Sequence, residues 1–424
     1  MSDLLAALRE RGLVEAVSDE EGLRRALQER RITLYAGFDP SAESLHIGNL
    51  MAILFLMRFQ RQGHRPIVVV GGGTGMIGDP SGKSQERQLL TLDQLERNLA
   101  GIRRQLERFL DFEAAENAAL IVNNYDWLSR WSIIDFLRDV GKHFPLGYML
   151  AKESVRRREE IGISYTEFSY MLLQAADFLH LFQEYGCELQ VGGGDQWGNI
   201  TAGVELIRRT LGETAYGLTS PLITTATGVK FGKSEAGAIW LDPEWTSPYQ
   251  FYQYWLNVDD RDAVRYLQYF TFLPQERIQE LAGAIAEHPE RREAQRVLAE
   301  EVTALVHGPE ALASAQRASQ VLFGGEVRGL SDQALAEVFQ EAPSTTLPRA
   351  RLEQGIPILD LFTETSLAAS KGEARNLIRG GGAYLNNERV ADEALALTPA
   401  QLASESMLVL RSGKKKYHLV RFAG

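Results

Sequence analysis

The sequence is poor in residues that build covalent or metal staples. It holds one cysteine, Cys187, among 424 residues, which excludes an intramolecular disulfide and points to a reducing compartment. No His/Cys cluster has metal-ligand spacing, so no protein-held metal is expected. No window approaches the ~18 apolar residues of a membrane span. Met1 to Gly12 alternates charge and leucine at helical spacing, without the apolar core or cleavage site of a secretion signal. A cytosolic protein with no membrane partner is expected. Internal repeats and low-complexity tracts are also missing.

What is present reads as an ordinary soluble chain, 45 % hydrophobic and 24 % charged, long enough for two or three domains. The net charge of −11 argues against a nucleic-acid partner until its distribution is considered. From Lys371 to Gly424 there are nine Lys or Arg against five Asp or Glu, a local balance of +4, so the rest carries −15. An acidic body with a basic tail suits either polyanion binding at one end or a solvated basic surface.

Along the chain, residues 3–30 read as two amphipathic helices. A β-rich run, Ile32 to Phe38, ends at Asp39-Pro40, and His46 to Gln62 is apolar and helical. A strand (Pro66 to Val70) then meets a glycine cluster and the turn Asp79-Pro80-Ser81-Gly82. Helices are expected at about 91–110, 131–141 and 145–160, with a strand near Leu120 to Asn123. A helix from about Thr166 to Tyr185 leads into a strand at Cys187 to Val191, a second glycine cluster and a helix from Gly198. Strands alternating with helices predict a parallel sheet, with ligands beyond the carboxyl ends of its strands. Residues 247–323 read as helical throughout, 324–350 as a linker, and the last ~70 residues as a small α+β unit with helices near 358–365 and 370–380.

Two glycine motifs mislead. Gly73-Thr-Gly75-Met-Ile-Gly78 matches the dinucleotide fingerprint, but a turn follows where a helix must open. Gly78 to Ser84 ends like a phosphate loop but is one residue too short. The informative pair is His46-Ile47-Gly48-Asn49, opening an apolar helix, and Lys230-Phe231-Gly232-Lys233-Ser234 far downstream. A helix N-terminus offers unpaired N–H groups and a positive dipole end to phosphate. His46 and Asn49 lie on one face as hydrogen-bond donors, Gly48 permits close approach, and two lysines can close on pyrophosphate as its charge develops.

These segments resemble the His-Ile-Gly-His and Lys-Met-Ser-Lys-Ser signatures of class I aminoacyl-tRNA synthetases. Over nearly the whole chain the text resembles the bacterial-type tyrosyl branch, through Tyr35-Ala-Gly37-Phe-Asp39-Pro, Gly78-Asp79-Pro-Ser-Gly-Lys83, Thr166-Glu-Phe-Ser-Tyr170 with Gln174, and Gly193-Gly-Asp195-Gln196-Trp197. It departs at Asn49, where the family has histidine, and at Phe231-Gly232, where it has Met-Ser. Asn49 still donates a hydrogen bond, whereas Gly232 is expected to loosen the loop.

The resemblance implies an α/β fold: a Rossmann-like parallel-sheet catalytic domain over 1–225 with inserted dimerisation helices at about 125–160, and a mobile loop and connection over 226–246. A helical anticodon-binding domain over 247–325, a linker over 326–352 and a small α+β RNA-binding domain over 353–424 would follow. It implies activation of L-tyrosine by ATP and transfer to tRNA(Tyr), by a homodimer. Gly37 and Asp39 belong to the tyrosine site; Tyr170, Gln174 and Asp79 would hold its ammonium, Tyr35 and Asp177 its hydroxyl, and Gln196 its carboxylate. Gly48, Gly193, Asp195 and Lys233 would bind ATP, with Asp195 on the ribose. Mg²⁺ would arrive with ATP.

The residues themselves support this reading. Tyr170, Gln174 and Asp177 fall at i, i+4 and i+7 on one helical face, which is either solvated or a binding wall. A carboxylate nucleophile needs no general base, so catalysis reduces to in-line positioning and stabilising the leaving pyrophosphate. That work falls to His46, Asn49, Lys83, Arg87, Lys230, Lys233 and Ser234. In the tail, Lys371, Arg375 and Arg379 form one basic helical face suited to RNA phosphates. A tryptophan-activating relative, a nucleotidyltransferase and a non-catalytic RNA-binding protein are the rival readings.

Overall fold

Ile67, Val68, Val69 and Val70 are all buried, so this strand is covered on both faces, as in a parallel sheet flanked by helices. The structure, a computed structural model, describes residues 3–81, 91–156, 162–226, 231–234, 237–321, 324–340, 342–413 and 416–423. At 92, 153, 154, 233 and 234 the description covers the backbone only. The chain divides into two units, Met1–Asp242 with Asp259–Ala294, and Pro243–Val258 with Gln295–Gly424.

The first unit holds strands β1 (Ala16–Val17), β2 (Thr33–Phe38), β3 (Arg65–Val70), β4 (Leu120–Asn123), β5 (Cys187–Gly193) and β6 (Tyr216–Ser220). Their order is β1-β6-β5-β2-β3-β4. All neighbouring pairs are parallel except β1 with β6. From β2 the chain builds outward to β3 and β4, then returns to place β5 on the other side. The sheet therefore reverses between β2 and β5, the place where such sheets open a crevice for ligands. β1 and β6 are additions to the expected strands.

Helix Ile47–Arg61 connects β2 to β3, Tyr165–Tyr185 precedes β5, and Trp197–Leu211 connects β5 to β6. The helix expected at about 131–141 is Ile133–Asp139, while the one expected at 145–160 is divided into the short helices Leu146–Leu150 and Glu153–Arg156, with 157–160 outside the described residues. Gly141 and Pro145 interrupt the run. Its apolar residues divide: Phe144 and Met149 are buried, while Ile133, Ile134, Leu146 and Leu150 are each more than half exposed.

Helix Asp260–Phe270 belongs to the first unit, where its last carbonyls meet two arginines. Arg58 donates to the carbonyls of Tyr269 (3.1 Å) and Thr271 (2.7 Å), and Arg11 to those of Gln268 and Thr271 (both 3.3 Å). Two cations thus satisfy the carbonyl end of its dipole.

In the second unit, strands Glu388–Arg389, Ala383–Leu385, Met407–Ser412, Lys416–Ala423 and Ser344–Pro348 form one sheet in that order. One face packs Leu408, Leu410 and Val420 on Leu361, Phe362 and Ile378 of helices Ile358–Glu364 and Lys371–Arg379. The other face packs Val409 and Leu419 on Leu335 and Phe339. Much of the stretch expected as linker, 326–352, is therefore structured: it holds helix Asp332–Val338, strand Ser344–Pro348 and most of helix Arg349–Glu353. That strand pairs parallel with the last one. Among the described residues no helix is long and apolar enough to cross a membrane.

Candidate active site

At the sheet reversal lies a cavity of about 270 Å³. Tyr35, Gly37 and Asp39 reach it from β2 and the residues just after it. Tyr170, Gln174 and Asp177 reach it from one face of helix Tyr165–Tyr185, and Gly193, Asp195 and Gln196 from the end of β5; Asp79 completes the ring. The structure brings together all eight residues expected around tyrosine, although they are scattered between positions 35 and 196. Four aspartates line the cavity, and among its described lining residues there is no lysine, arginine or histidine. Such a field favours a cationic ligand group.

At the deep end, Tyr35 is 2 % exposed and its hydroxyl is a buried polar group with no hydrogen-bond partner. Its ring stands edge-on to Phe178 at 5.3 Å. Burial, and then the charge of Asp177, push its ionisation well above the ordinary phenol range, so it remains a hydroxyl. Asp177 is 3 % exposed and receives two hydrogen bonds, Trp127 Nε1 to Oδ1 at 2.7 Å and Asn124 Nδ2 to Oδ2 at 2.9 Å. Burial raises its carboxyl to about 7 although both hydrogen bonds oppose the shift. Asn124 is itself fixed, since its Nδ2 also donates to Thr74 Oγ1 (2.9 Å) and its Oδ1 accepts from Gly73 N–H (2.7 Å).

At the wider end, Gln196 Nε2 donates to Asp79 Oδ2 at 2.6 Å, and Gln174 Nε2 to Gln196 Oε1 at 3.3 Å. Asn199 Nδ2 donates to Gln174 Oε1 at 3.1 Å. The Tyr170 hydroxyl lies 3.4 Å from both oxygens of Asp39, which also accepts from Thr74 Oγ1 at 3.2 Å. Burial and the neighbouring Asp79 raise the Asp195 carboxyl.

Asn124, Trp127, Asn199 and Thr74 are not identifiable from the sequence. Asn124 sits directly after β4, Trp127 one turn further on, and Asn199 in the first turn of a helix. Each is a single polar or aromatic residue whose local pattern does not announce a partner from another strand.

The described residues of the two signature segments meet one another, and none of them is among the described residues lining this cavity. His46 caps helix Ile47–Arg61: its Nδ1 accepts from Gly48 N–H at 3.0 Å, while Asn49 Oδ1 accepts from His46 N–H at 3.1 Å. These roles put the proton of the neutral imidazole on Nε2 and make the Asn49 amide group the donor side. A Cβ on Gly48 would stand 2.6 Å from His46 Cε1, so only glycine permits this cap.

The segment after the second signature is stitched to the first. Leu241 N–H donates to Leu45 O (2.8 Å), Ile47 N–H to Ile239 O (3.0 Å) and Ile239 N–H to Gly232 O (2.9 Å). Phe231 is buried and stacks on Phe270 at 5.4 Å. Gly232 has a conformational reason to be glycine. It holds φ +79°, a conformation L side chains rarely adopt, and a Cβ there would meet Ile47 Cγ1 at 3.2 Å. Lys233 and Ser234 pair in backbone with Ala238 and Gly237. Lys83, Arg87 and Lys230 lie outside the described residues, as do the side chains of Lys233 and Ser234.

In the second unit, Lys371, Arg375 and Arg379 share the exposed face expected of them on helix Lys371–Arg379. Lys371 pairs with Asp360, while Glu393 pairs with Arg375 (3.2 Å) and Arg379 (2.5 Å).

Comparison with known proteins agrees with this geometry. Residues 27–324 match the model of tRNA synthetases class I (W and Y), and residues 334–420 that of the tyrosine–tRNA ligase SYY-like C-terminal domain. The tyrosine–tRNA ligase of Roseiflexus castenholzii is 56 % identical over 424 residues, covering 99 % of this chain and all of the relative. That of Geobacillus stearothermophilus is 55 % identical with the same coverage. Among solved structures, a C-terminally truncated mitochondrial tyrosyl-tRNA synthetase of Aspergillus nidulans aligns with TM-score 0.69 and 32 % identity, over 76 % of this chain and 95 % of that one. The chain belongs to the class I tRNA synthetases of the tryptophan and tyrosine group, and within it to the tyrosine–tRNA ligases.

Proposed function

We propose that this chain activates L-tyrosine with ATP in the 270 Å³ cavity and then transfers it to tRNA(Tyr). The observation that carries the reading is the buried Tyr35 hydroxyl, which lacks a partner and shares the deep end with the carboxylate of Asp177. A phenol hydroxyl can accept from Tyr35 and donate to Asp177. Phenylalanine would leave the Tyr35 hydroxyl unpaired and give Asp177 nothing beyond its bonds from Trp127 and Asn124. Tyrosine-specific synthetases are the established example of this asymmetry, at about 10⁵-fold. The aspartate-lined wall suits the substrate ammonium, held by Asp79, Tyr170 and Gln174, with Gly37 and Asp39 completing the pocket and Gln196 beside the carboxylate.

In the first step a tyrosine carboxylate oxygen bonds to the α-phosphorus as the bond to the pyrophosphate oxygen breaks. No proton moves, so the protein supplies geometry and positive charge. His46 Nε2–H and the Asn49 amide offer donors to phosphate, and the positive end of the helix dipole behind Gly48 favours its charge. The N–H groups of Ile47, Gly48 and Asn49 are already bonded within the junction. Lys83, Arg87, Lys230, Lys233 and Ser234 supply the remaining stabilisation, and Gly193 and Asp195 hold the ribose side. Mg²⁺ enters with ATP and neutralises phosphate charge. In the second step a hydroxyl at the 3′ end of tRNA bonds to the tyrosyl carbonyl carbon as the bond to the phosphate oxygen breaks, the hydroxyl proton passes to the leaving phosphate, and AMP departs.

The helical stretch 247–325 and the basic tail 353–424, with Lys371, Arg375 and Arg379, take the RNA. The exposed Ile133, Ile134, Leu146 and Leu150 suit the interface of a homodimer. The location is cytosolic, where tRNA and ATP are found.

Exchange of labelled pyrophosphate into ATP, without RNA, tests the reading. Tyrosine should support it, and phenylalanine and tryptophan should not. No exchange with any of the three would leave the motifs inert and favour a non-catalytic RNA-binding protein.

A further inference from the structure

The carboxylate of Asp177 is held from two sides, and the two supports differ in kind. Asn124 is tied by three hydrogen bonds of its own, to Gly73, Thr74 and Asp177. Trp127 has a single polar side-chain atom, Nε1, and spends it on Asp177. The plane of the indole, and so the aim of that N–H, must therefore be set by packing. One turn beyond Asp177 on the same helix, His180 lies flat on this indole, with ring centroids 4.4 Å apart and planes 21° apart. Tyr185 meets the imidazole edge-on from behind at 6.2 Å.

Trp127 and His180 also line a second, larger cavity of about 780 Å³, together with Arg103, Arg130 and Glu184. On that side the indole borders open space. Burial, and the charge of Arg130, lower the pKa of the imidazole against the pull of Glu184.

We infer that His180 is a positioning residue for tyrosine specificity: stacked on Trp127, it fixes the indole N–H on Asp177 and so aims the carboxylate at the phenol hydroxyl. The inference rests on the reading of Asp177 as that hydroxyl's partner. His180 is not among the residues lining the 270 Å³ cavity, so its effect on the site passes through the indole it stacks on. What matters is a flat ring, not the imidazole nitrogens.

The test is steady-state pyrophosphate exchange by the full chain with tyrosine and with phenylalanine, comparing the unsubstituted protein, His180→Ala and His180→Phe. His180→Ala should raise KM for tyrosine by roughly 3- to 10-fold, the range of one aromatic contact, and leave kcat within twofold. The constants for phenylalanine should not move, so tyrosine-over-phenylalanine discrimination falls by the same factor. His180→Phe, which keeps a flat ring, should restore it. Equal loss with both amino acids, unchanged discrimination in His180→Ala, or no rescue by His180→Phe would each overturn the assignment. Asp177→Asn in the same assay separates the two possible failures. If it keeps full discrimination, the role of Asp177 falls. If it loses discrimination while His180→Ala keeps it, only the role of His180 falls.

Discussion

The backbone amide of Ile47 donates to the carbonyl of Ile239 across 3.0 Å, joining the turn that opens the first signature helix to the strand leaving the second. Gly232, whose carbonyl accepts from Ile239, sits against Ile47 in a left-handed conformation. The two signature segments therefore share one backbone junction, and its geometry depends on a glycine.

Gly232→Ala should disturb that junction, because an L residue in this conformation costs about 1–2 kcal/mol and its Cβ would crowd Ile47. We expect adenylate formation to slow roughly tenfold, with tyrosine affinity unchanged. Single-turnover kinetics against equilibrium tyrosine binding reads the two separately. A parallel loss in binding would place the effect in the amino-acid pocket instead.

Tyr35→Phe should cut both ways. It removes a buried hydroxyl that lacks a partner in the free protein, so the unliganded protein should melt no lower than before. It also removes one hydrogen bond to the substrate, about 0.5–1.5 kcal/mol. Tyrosine KM should therefore rise, and discrimination against phenylalanine should fall, by roughly 2- to 10-fold. A variant that melts lower while discriminating normally would contradict both halves.

The carboxyl of Asp177 gives a pH dependence of definite sign. Its folded value of about 7 lies above the ordinary 3.8, so between these values the folded state keeps a proton that the unfolded state has released. Stability from this group is full below about pH 4, falls as pH rises through 7 and then levels off. The groups facing it are Tyr35, Tyr170 and Asp39, with hydrogen bonds from Asn124 and Trp127. Urea melts between about pH 4.5 and 8 should show this slope, and Asp177→Asn should remove it. Tyrosine KM should fall as pH rises through about 7, because the ionised carboxylate is the better acceptor for the phenol. Identical slopes in the two proteins would rule out Asp177 as their source.

Glu393 bridges Arg375 and Arg379, so RNA phosphates reaching this helix must compete with it. Glu393→Gln should tighten tRNA binding, whereas the triple substitution Lys371→Ala, Arg375→Ala, Arg379→Ala should weaken it. The triple variant should also flatten the salt dependence, by up to ~0.7–0.9 in log–log slope for each phosphate no longer neutralised. Neither should alter pyrophosphate exchange without RNA. Filter binding across a salt series checks both, and weaker binding by Glu393→Gln would make that carboxylate an RNA-orienting group rather than a competitor.

The elements legible in the sequence are those whose own residues carry the signal. The Val/Ile run of β3, the single polar face of Tyr170, Gln174 and Asp177, and the helix opening at His46 all appear where expected. That His46 caps the helix is a finding of the structure. What escapes depends on distant partners. β6, Tyr216–Ser220, is buried at every position yet contains glycine, threonine and serine, so it has neither alternation nor a continuous apolar run. Strand Ser344–Pro348 buries only Leu347 and exists because the last strand offers it hydrogen bonds. Asn124 and Trp127 become part of the site only when β4 delivers them to the carboxylate of Asp177.

Tyr35 and Gln190 stand opposite one another on the adjacent strands β2 and β5, and both line the 270 Å³ cavity. Between them the chain must complete β3, β4 and the whole run of short helices before β5 can take its central place. Closing a loop of that length costs entropy before any contact rewards it, so pairing of β2 with β5 belongs late in folding. A nascent chain that has emerged only as far as β4 has one wall of the pocket and nothing opposite it. Tyrosine can therefore act as a ligand only for a unit whose sheet is already closed, and the amino acid cannot guide the fold that recognises it.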